Sequence, residues 1–441
     1  MKKAVTLVGT PVFVGLALFL YFYIIGHWDR HMLDFLMTNS LYAFISGYLV
    51  VFLVILIFRY FALMVFSYLE HVESLKAYDE DEVPEGGYPF ITIVVPAYNE
   101  GLVIQSAIRS LLELDYPNYE ILVVDDGSTD DTFQRALEMS RLGRNVRVIT
   151  KPNGGKADAL NTGMAQARGD FILNMDGDAK LSRNTLKACI RHFSDPRMGA
   201  VAGNVKVLNR ENVLTKVQAL EYVEGLALAR KAQSYTRSVN IIPGPLGLFR
   251  KSALWEVGGY DHDTFAEDCD LTLKLLFEGW HVVYEPTAIA WVESPSRLLD
   301  LLKQRYRWTR GILQAIRKHV WSLKHPIRAG INGYILWYML FEGVIWPVSN
   351  VLGNVFFGFI GIKYGIVLLI SFWWMQLSLL DMAAAAYCVF IEKEDLALIV
   401  QALFFRVFYL LIVDVAKIFA SVEELFGFKM TWGKLDREGK L

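Results

Sequence analysis

Of the 441 residues, 54% are hydrophobic and the mean hydropathy is +0.31, too apolar for an ordinary soluble enzyme. The formal net charge of −2 selects no class of partner, and no basic tract reads as a nucleic-acid site. The three cysteines, Cys189, Cys269 and Cys388, have neither metal-ligand nor disulfide spacing, which fits a reducing compartment.

The apolar excess lies at the two ends. Residues 4–26 carry no charge and are long enough to cross a hydrocarbon core of about 30 Å. No small-residue cleavage site closes that run, so a retained anchor is expected rather than a signal peptide. Residues 40–69 carry one charge, Arg59. Residues 331–362 and 364–391 hold one acid each, Glu342 and Asp381, and 396–421 holds Arg406, Asp414 and Lys417. Lys2 and Lys3 place the N-terminus in the cytoplasm. Residues 303–328, with eight Lys/Arg and no acid, hold the middle of the chain on that same side. The expectation is a multi-pass protein of the inner (cytoplasmic) membrane with a cytoplasmic domain between its spans.

Residues 70–87 are acidic, end in Pro84, Gly86 and Gly87, and read as a solvated linker. Strands are expected at 90–96 (FITIVVP), 120–125 (EILVVD), 146–150 (VRVIT) and 170–175 (DFILNM), with helices at about 101–114, 130–142 and 156–167. Alternation at this spacing predicts an α/β fold with a parallel, doubly wound sheet. In such a sheet ligands sit beyond the carboxyl ends of the strands.

The polar motifs fall at those ends or in the half that follows. Neither G-x-G-x-x-G after the first strand nor G-x-x-x-x-G-K-[ST] is present, which argues against a dehydrogenase or a P-loop ATPase. Tyr98 and Glu100 follow the first strand, and Asp125-Asp126-Gly127-Ser128-Thr129-Asp130 follows the second. An aromatic ring and carboxylates there suit a nucleotide base, although the same residues also make a good turn and helix cap. Asp176-Gly177-Asp178 offers two carboxylates of the kind hard divalent ions take beside a diphosphate. Lys156 opens a helix against its dipole, and a phosphate partner would explain it. Glu267-Asp268 opens another helix, where acids are favoured structurally but where a general base would also serve. Gln304, Arg307 and Trp308 share a helix face; they suit a diphosphate and a sugar ring, or a basic helix lying on a membrane surface.

In order, Asp-Asp-Gly, Asp-x-Asp, Ala-Glu-Asp and Gln-x-x-Arg-Trp resemble the inverting family-two glycosyltransferases of GT-A fold, and among them the membrane synthases of cellulose, hyaluronan and poly-N-acetylglucosamine. The resemblance covers about residues 88–325. It implies that Tyr98, Glu100, Asp125 and Asp126 bind the nucleotide and Lys156 its diphosphate, and that Asp176 and Asp178 hold it with Mg or Mn. Asp268, beside Glu267, would be the base. Gln304, Arg307 and Trp308 would bind pyrophosphate and acceptor, and Gly244 of Pro243–Gly247 would lie in a small-residue loop near the acceptor. Ala266 departs from the threonine of many members, but that threonine is not the base. Phe428, Thr431 and Lys434 resemble the gating loop of cellulose synthase, and residues 400–404 the interfacial helix before it.

The implied organisation is two spans in 1–69, the linker at 70–87, a catalytic domain at 88–298 and interface helices at 299–328. Two more spans follow in 329–391, then an interfacial or third spanning helix at 396–421 and a cytoplasmic tail at 422–441. The implied partners are a UDP-sugar, a growing β-linked polysaccharide and the lipid membrane, with room for a small accessory membrane subunit and no role for nucleic acid. Two alternatives remain open: a non-processive transferase acting on a lipid, and a nucleotide-sugar-binding transport or sensor protein. Within the spans, Glu342 and Asp381 suit either a polymer channel lined with Trp346, Trp373 and Trp374 or polar packing between helices.

Overall fold

The computed structural model describes residues 39–77, 87–143, 145–365 and 367–428. The expected first span at 4–26, with Lys2 and Lys3, and the tail residues Thr431 and Lys434 lie outside the described residues.

Eight strands form one sheet: β1 (Ile91–Ala97), β2 (Tyr119–Asp125), β3 (Val146–Thr150), β4 (Phe171–Asn174), β5 (Ala179–Leu181), β6 (Met198–Val207), β7 (Gly247–Arg250) and β8 (His281–Val292). Their spatial order is β3-β2-β1-β4-β7-β6-β8-β5. The first four run parallel, with Ala97 level with Asp125 and Asp125 level with Thr150. The carboxyl ends of β1, β2 and β3 therefore share one edge, and β4 ends just beside them. The expected mostly parallel sheet is observed, with its antiparallel pairs confined to the second half. There β7 runs antiparallel to both β4 and β6, and β5 antiparallel to β8.

Both faces of the sheet are covered, as its unbroken β-branched strands require. On one face Ile93, Val95, Ile121 and Val123 pack with the Ile104–Leu112 helix. On the other, Val94, Leu122 and Val124 meet the helix Lys156–Gln166, in a core cluster that also takes in the helix Glu267–Phe277. This period-two division of neighbouring side chains is the sheet's own geometry.

Helix Ser40–Ala77 runs on into the segment expected to be linker, and its Glu70 accepts a hydrogen bond from Ser234 at 3.3 Å. Three described helical stretches are long and apolar enough to cross a membrane: Ser40–Ser74, Ile331–Tyr364 and Trp373–Ile391. A fourth candidate is a broken one, Ala397–Phe404 and Phe408–Leu425 meeting at 55°.

Charged groups inside these helices pair with one another. Arg406 is 1% exposed; its Nε donates to Asp381 at 2.8 Å and its guanidinium to the Tyr60 hydroxyl at 2.8 Å. Arg59 pairs with Glu342 and lies 4.7 Å from the centre of the Trp346 ring. Both acids thus serve contacts between helices. That arrangement suits the cost of an unpaired charge in hydrocarbon.

Candidate active site

Three turns converge at the shared strand edge. The residues after β1 and β2 are tied to each other: Asn99 takes a φ of 54°, and its side-chain oxygen accepts the backbone N–H of Thr129 at 2.8 Å and of Asp130 at 3.3 Å. Asparagine tolerates this left-handed backbone better than most residues. Asp130 also accepts the N–H of Thr132 at 3.0 Å, so the motif makes the expected turn, whereas Asp131, at the N-cap of the helix that follows, makes no side-chain capping bond. Tyr98 is 41% exposed at the rim, and Glu100 lies beside it, partly buried.

Asp125 and Asp126 are buried. Asp125 accepts from the Thr150 hydroxyl at 2.8 Å. Asp126 takes Lys151 Nζ at 2.7 Å and the N–H groups of Gly154 and Gly155 at 3.0 and 2.8 Å. It therefore anchors the turn that delivers Lys156 to the start of its helix.

Lys156 is the hub. Its Nζ lies 2.7 Å from Asp176 and 3.0 Å from Glu267. Burial works to lower its pKa, but the carboxylates of Asp176, Glu267 and Asp268 outweigh that and hold it well above the usual lysine range. These acids are the partners that compensate a cation at a helix N-terminus.

Gly244 closes over the same spot. A Cβ on it would stand 2.9 Å from Lys156 Nζ and 3.0 Å from an Asp176 oxygen, so no larger residue fits without moving the pair. The small-residue loop expected near the acceptor thus reaches the lysine–aspartate contact itself. Lys156, Asp176, Gly244, Glu267 and Asp268 line one small cavity, with Tyr260 at its wall.

Asp268 is half-buried and accepts the N–H of Cys269 at 2.8 Å. Burial first, then the neighbouring Glu267 charge, raises its pKa to about 6, against the opposing pull of Lys156. A carboxyl so poised suits a general base working near neutrality.

Two groups in the cleft were not singled out from sequence, Asn174 and Tyr260. Asn174 donates to the Tyr260 hydroxyl. Tyr260 is held through its backbone by Asn161, which accepts from its N–H at 2.9 Å and donates to its carbonyl at 2.8 Å. The glycine pair before Tyr260 was the available signal.

The Leu298–Lys318 helix carries Gln304, Arg307 and Trp308, all half-buried. Trp308 packs on the core, with the Arg305 guanidinium 4.3 Å from the centre of its ring. Arg305 is buried and pairs with Glu221, and Tyr409 donates to the same carboxylate at 2.6 Å. Farther along, Arg310 donates to Glu424 at 2.8 Å and to the Phe428 carbonyl at 2.6 Å. The start of the tail thus rests on this helix.

Among the described residues, the acidic group with metal-like spacing is Asp261, Asp263 and Asp270, which includes neither Asp176 nor Asp178. Lys318 Nζ already contacts all three, at 2.7, 2.8 and 2.7 Å. An ammonium fills that place.

Residues 92–258 match the family described as glycosyl transferase family 2. The chain is 33% identical over 257 residues to a poly-beta-1,6-N-acetyl-D-glucosamine synthase of Staphylococcus aureus (strain COL), a match covering 58% of this chain and 62% of that protein. A protein of the same name from Staphylococcus epidermidis is 32% identical over 257 residues, with the same coverage. The match thus spans less than two thirds of these relatives. A solved mannosyltransferase, PcManGT from Pyrobaculum calidifontis in complex with GDP-Man and Mn2+, superposes with a TM-score of 0.60 at 21% identity, covering 86% of this chain and 100% of that one; at such identity the likeness concerns the fold. Residues 92–258 are thus similar to family-two glycosyltransferases, and they lie on a Rossmann-like GT-A sheet attached to apolar helices fit to span a membrane.

Proposed function

We propose that the protein is an inverting, processive synthase that transfers a sugar from a UDP-sugar to a growing β-linked polysaccharide and passes the product through its membrane helices. The observation that carries this reading is the meeting of Asp176, Glu267 and Asp268 around Lys156, under Gly244. The residues come from four separate stretches of chain, yet they make one cleft at the edge where α/β sheets bind ligands. The names of the Staphylococcus relatives make UDP-N-acetylglucosamine the first donor to test.

Tyr98 and Glu100 at the rim, with Asp125 and Asp126 shaping the floor, take the uridine, and Lys156 swings from Asp176 to the diphosphate. Asp176 and Asp178 have the oxygen-only chemistry that suits Mg or Mn, and the Lys156 ammonium beside Asp176 marks a position that accepts positive charge. When bound, the cation neutralises charge on the departing diphosphate. Asp268 takes the proton from the acceptor hydroxyl as that oxygen attacks the anomeric carbon, and attack opposite the leaving group turns an α-linked donor into a β-linked product. Trp308 offers the acceptor an apolar face, while Gln304 and Arg307 reach the pyrophosphate. Phe428, the first of the gating-loop-like residues, is held through its carbonyl by Arg310 of the helix that carries these groups, consistent with a tail that covers bound nucleotide. Placement in the inner membrane with the catalytic domain in the cytoplasm, and a small accessory membrane subunit, belong to the same proposal.

Purified membranes supplied with single UDP-sugars and Mg or Mn, followed by linkage-specific hydrolases and sizing of the product, test it. A long β-linked polymer from one donor is expected. A single sugar on lipid would establish the non-processive alternative, and donor binding without UDP release would establish a sensor.

A further inference from the structure

The loop that presents Glu267 and Asp268 is not held by its own helix alone. Phe265 donates its backbone N–H to Gln314 Oε1 at 3.0 Å, and the other end of that side chain, Nε2, donates to Glu424 at 3.1 Å. Glu424 lies near the end of the last described helix, Leu411–Leu425. Arg310 joins the same carboxylate at 2.8 Å and reaches on to the Phe428 carbonyl at 2.6 Å.

Two more contacts fix the loop to the same helix. The Thr264 hydroxyl donates to the Gly311 carbonyl at 3.1 Å and accepts the Ala266 N–H at 3.2 Å. Gly311 lies so close to this loop that a Cβ on it would stand 2.5 Å from the Ala266 nitrogen. One amide side chain therefore bridges the backbone just before the base to a carboxylate in the last turn of the C-terminal helix.

We propose that Gln314 is a positioning residue that couples the placement of Asp268 to the seating of the C-terminal helix that carries Glu424. The proposal rests on the catalytic reading above only for its effect on rate. The physical claim is that the two ends of an amide have opposite polarity, so they can be satisfied together only when the 264–266 loop and Glu424 are both in place. A rotation of the last helix that takes Glu424 away leaves Nε2 without its acceptor, and Gln314 then loses the orientation that gives Oε1 to Phe265. An ångström of drift at a general base is enough to cost a large factor in rate.

The test uses the full-length protein in detergent or nanodiscs, with donor turnover followed by UDP release. Gln314→Met keeps the length of the side chain and removes both bonds. Its kcat is expected to fall about 10- to 100-fold with the donor KM within about threefold, and with unchanged elution on size exclusion. Gln314→Glu keeps the acceptor for Phe265 but sets two carboxylates face to face. Adding Glu424→Gln restores a donor–acceptor pair with its polarity reversed, and this double variant is expected to regain most of the rate lost by Gln314→Glu alone.

An unchanged kcat, a rise in KM alone, or a double variant no better than the single one overturns the proposal. The exchange between the two Gln314→Glu variants decides the matter if Gln314→Met does not fold. A readout independent of turnover is hydrogen exchange over residues 264–269, which Glu424→Ala should accelerate and which must stay unchanged if the coupling is absent. A wild-type protein silent with every donor would sink the proposed function while leaving the exchange result to judge the coupling.

Discussion

The two halves of the cleft are built by different means. The half formed by β1 to β4 holds its polar groups through short turns whose side chains bond to nearby backbone, as Asp126 does with Gly154 and Gly155 and Asn99 with Thr129. The other half depends on side chains that meet between helices, Lys156 with Glu267 and Arg305 with Glu221, and the apolar helices beyond it are joined in the same way by Arg406 with Asp381. Turns satisfy their groups one at a time with modest energies. Buried pairs leave an uncompensated charge when one member is lost, and the penalty is larger. The comparison therefore predicts small effects from the first half and large ones from the second, except where a first-half group touches the reacting atoms.

The largest effect is expected at Asp268. Asp268→Asn should lower UDP release by about 10²- to 10⁴-fold, the contribution of a positioned base; full turnover would remove Asp268 from that role. The same group sets a pH dependence. Its pKa is raised to about 6 and the base acts ionised, so the rate should fall as pH drops through about 6. For stability the sign is opposite: a raised carboxylate pKa means the folded state binds the extra proton, so stability declines as pH rises through that window. Asp268→Asn should therefore melt slightly above the wild type at pH 7, which a thermal scan checks.

Arg406→Ala comes next. It strands Asp381, which is 0% exposed, and should destabilise the protein by about 3–5 kcal/mol, read as early unfolding in detergent. Replacing Arg406 and Asp381 together with apolar residues should recover much of that loss, because the charges leave as a pair.

Gly244→Ala tests the closest approach in the cleft. The new methyl meets Lys156 and Asp176 at about 3 Å, and the shift it forces should lower kcat roughly tenfold with little change in melting temperature. The smallest effect belongs to Asn99→Ala, which loses an acceptor for two backbone N–H groups and adds strain at a φ of 54°. About 1–2 kcal/mol of stability is expected. If denaturant unfolding gave Asn99→Ala the same cost as Arg406→Ala, the contrast between the two halves would collapse.

Local pattern carried the first half of the protein well. The expected strand at 146–150 is β3 itself, and the expected helix at 156–167 is observed as Lys156–Gln166. Continuous β-branched runs and glycine-marked turns act within a few residues, so they can be read along the chain. The apolar segments after the domain were legible for the same reason, since length and hydropathy are local quantities. Lys156 showed itself because it violates a local rule at a helix start; the expected partner was a phosphate, and the partners in the folded chain are the carboxylates of Asp176 and Glu267.

The order of β5 to β8, the antiparallel course of β7 and the partners of the buried charges came only from the folded chain. Arg406 in sequence is one cation in an apolar run, and nothing near it names Asp381 or Tyr60 as its partners. Gln314 reads as one more polar residue on an amphipathic helix, and only packing brings its two ends to Phe265 and Glu424. Composition and periodicity report which face of an element is buried. Which distant element covers that face is decided by how all of them pack together, and the helical half of this cleft is made almost entirely of such choices.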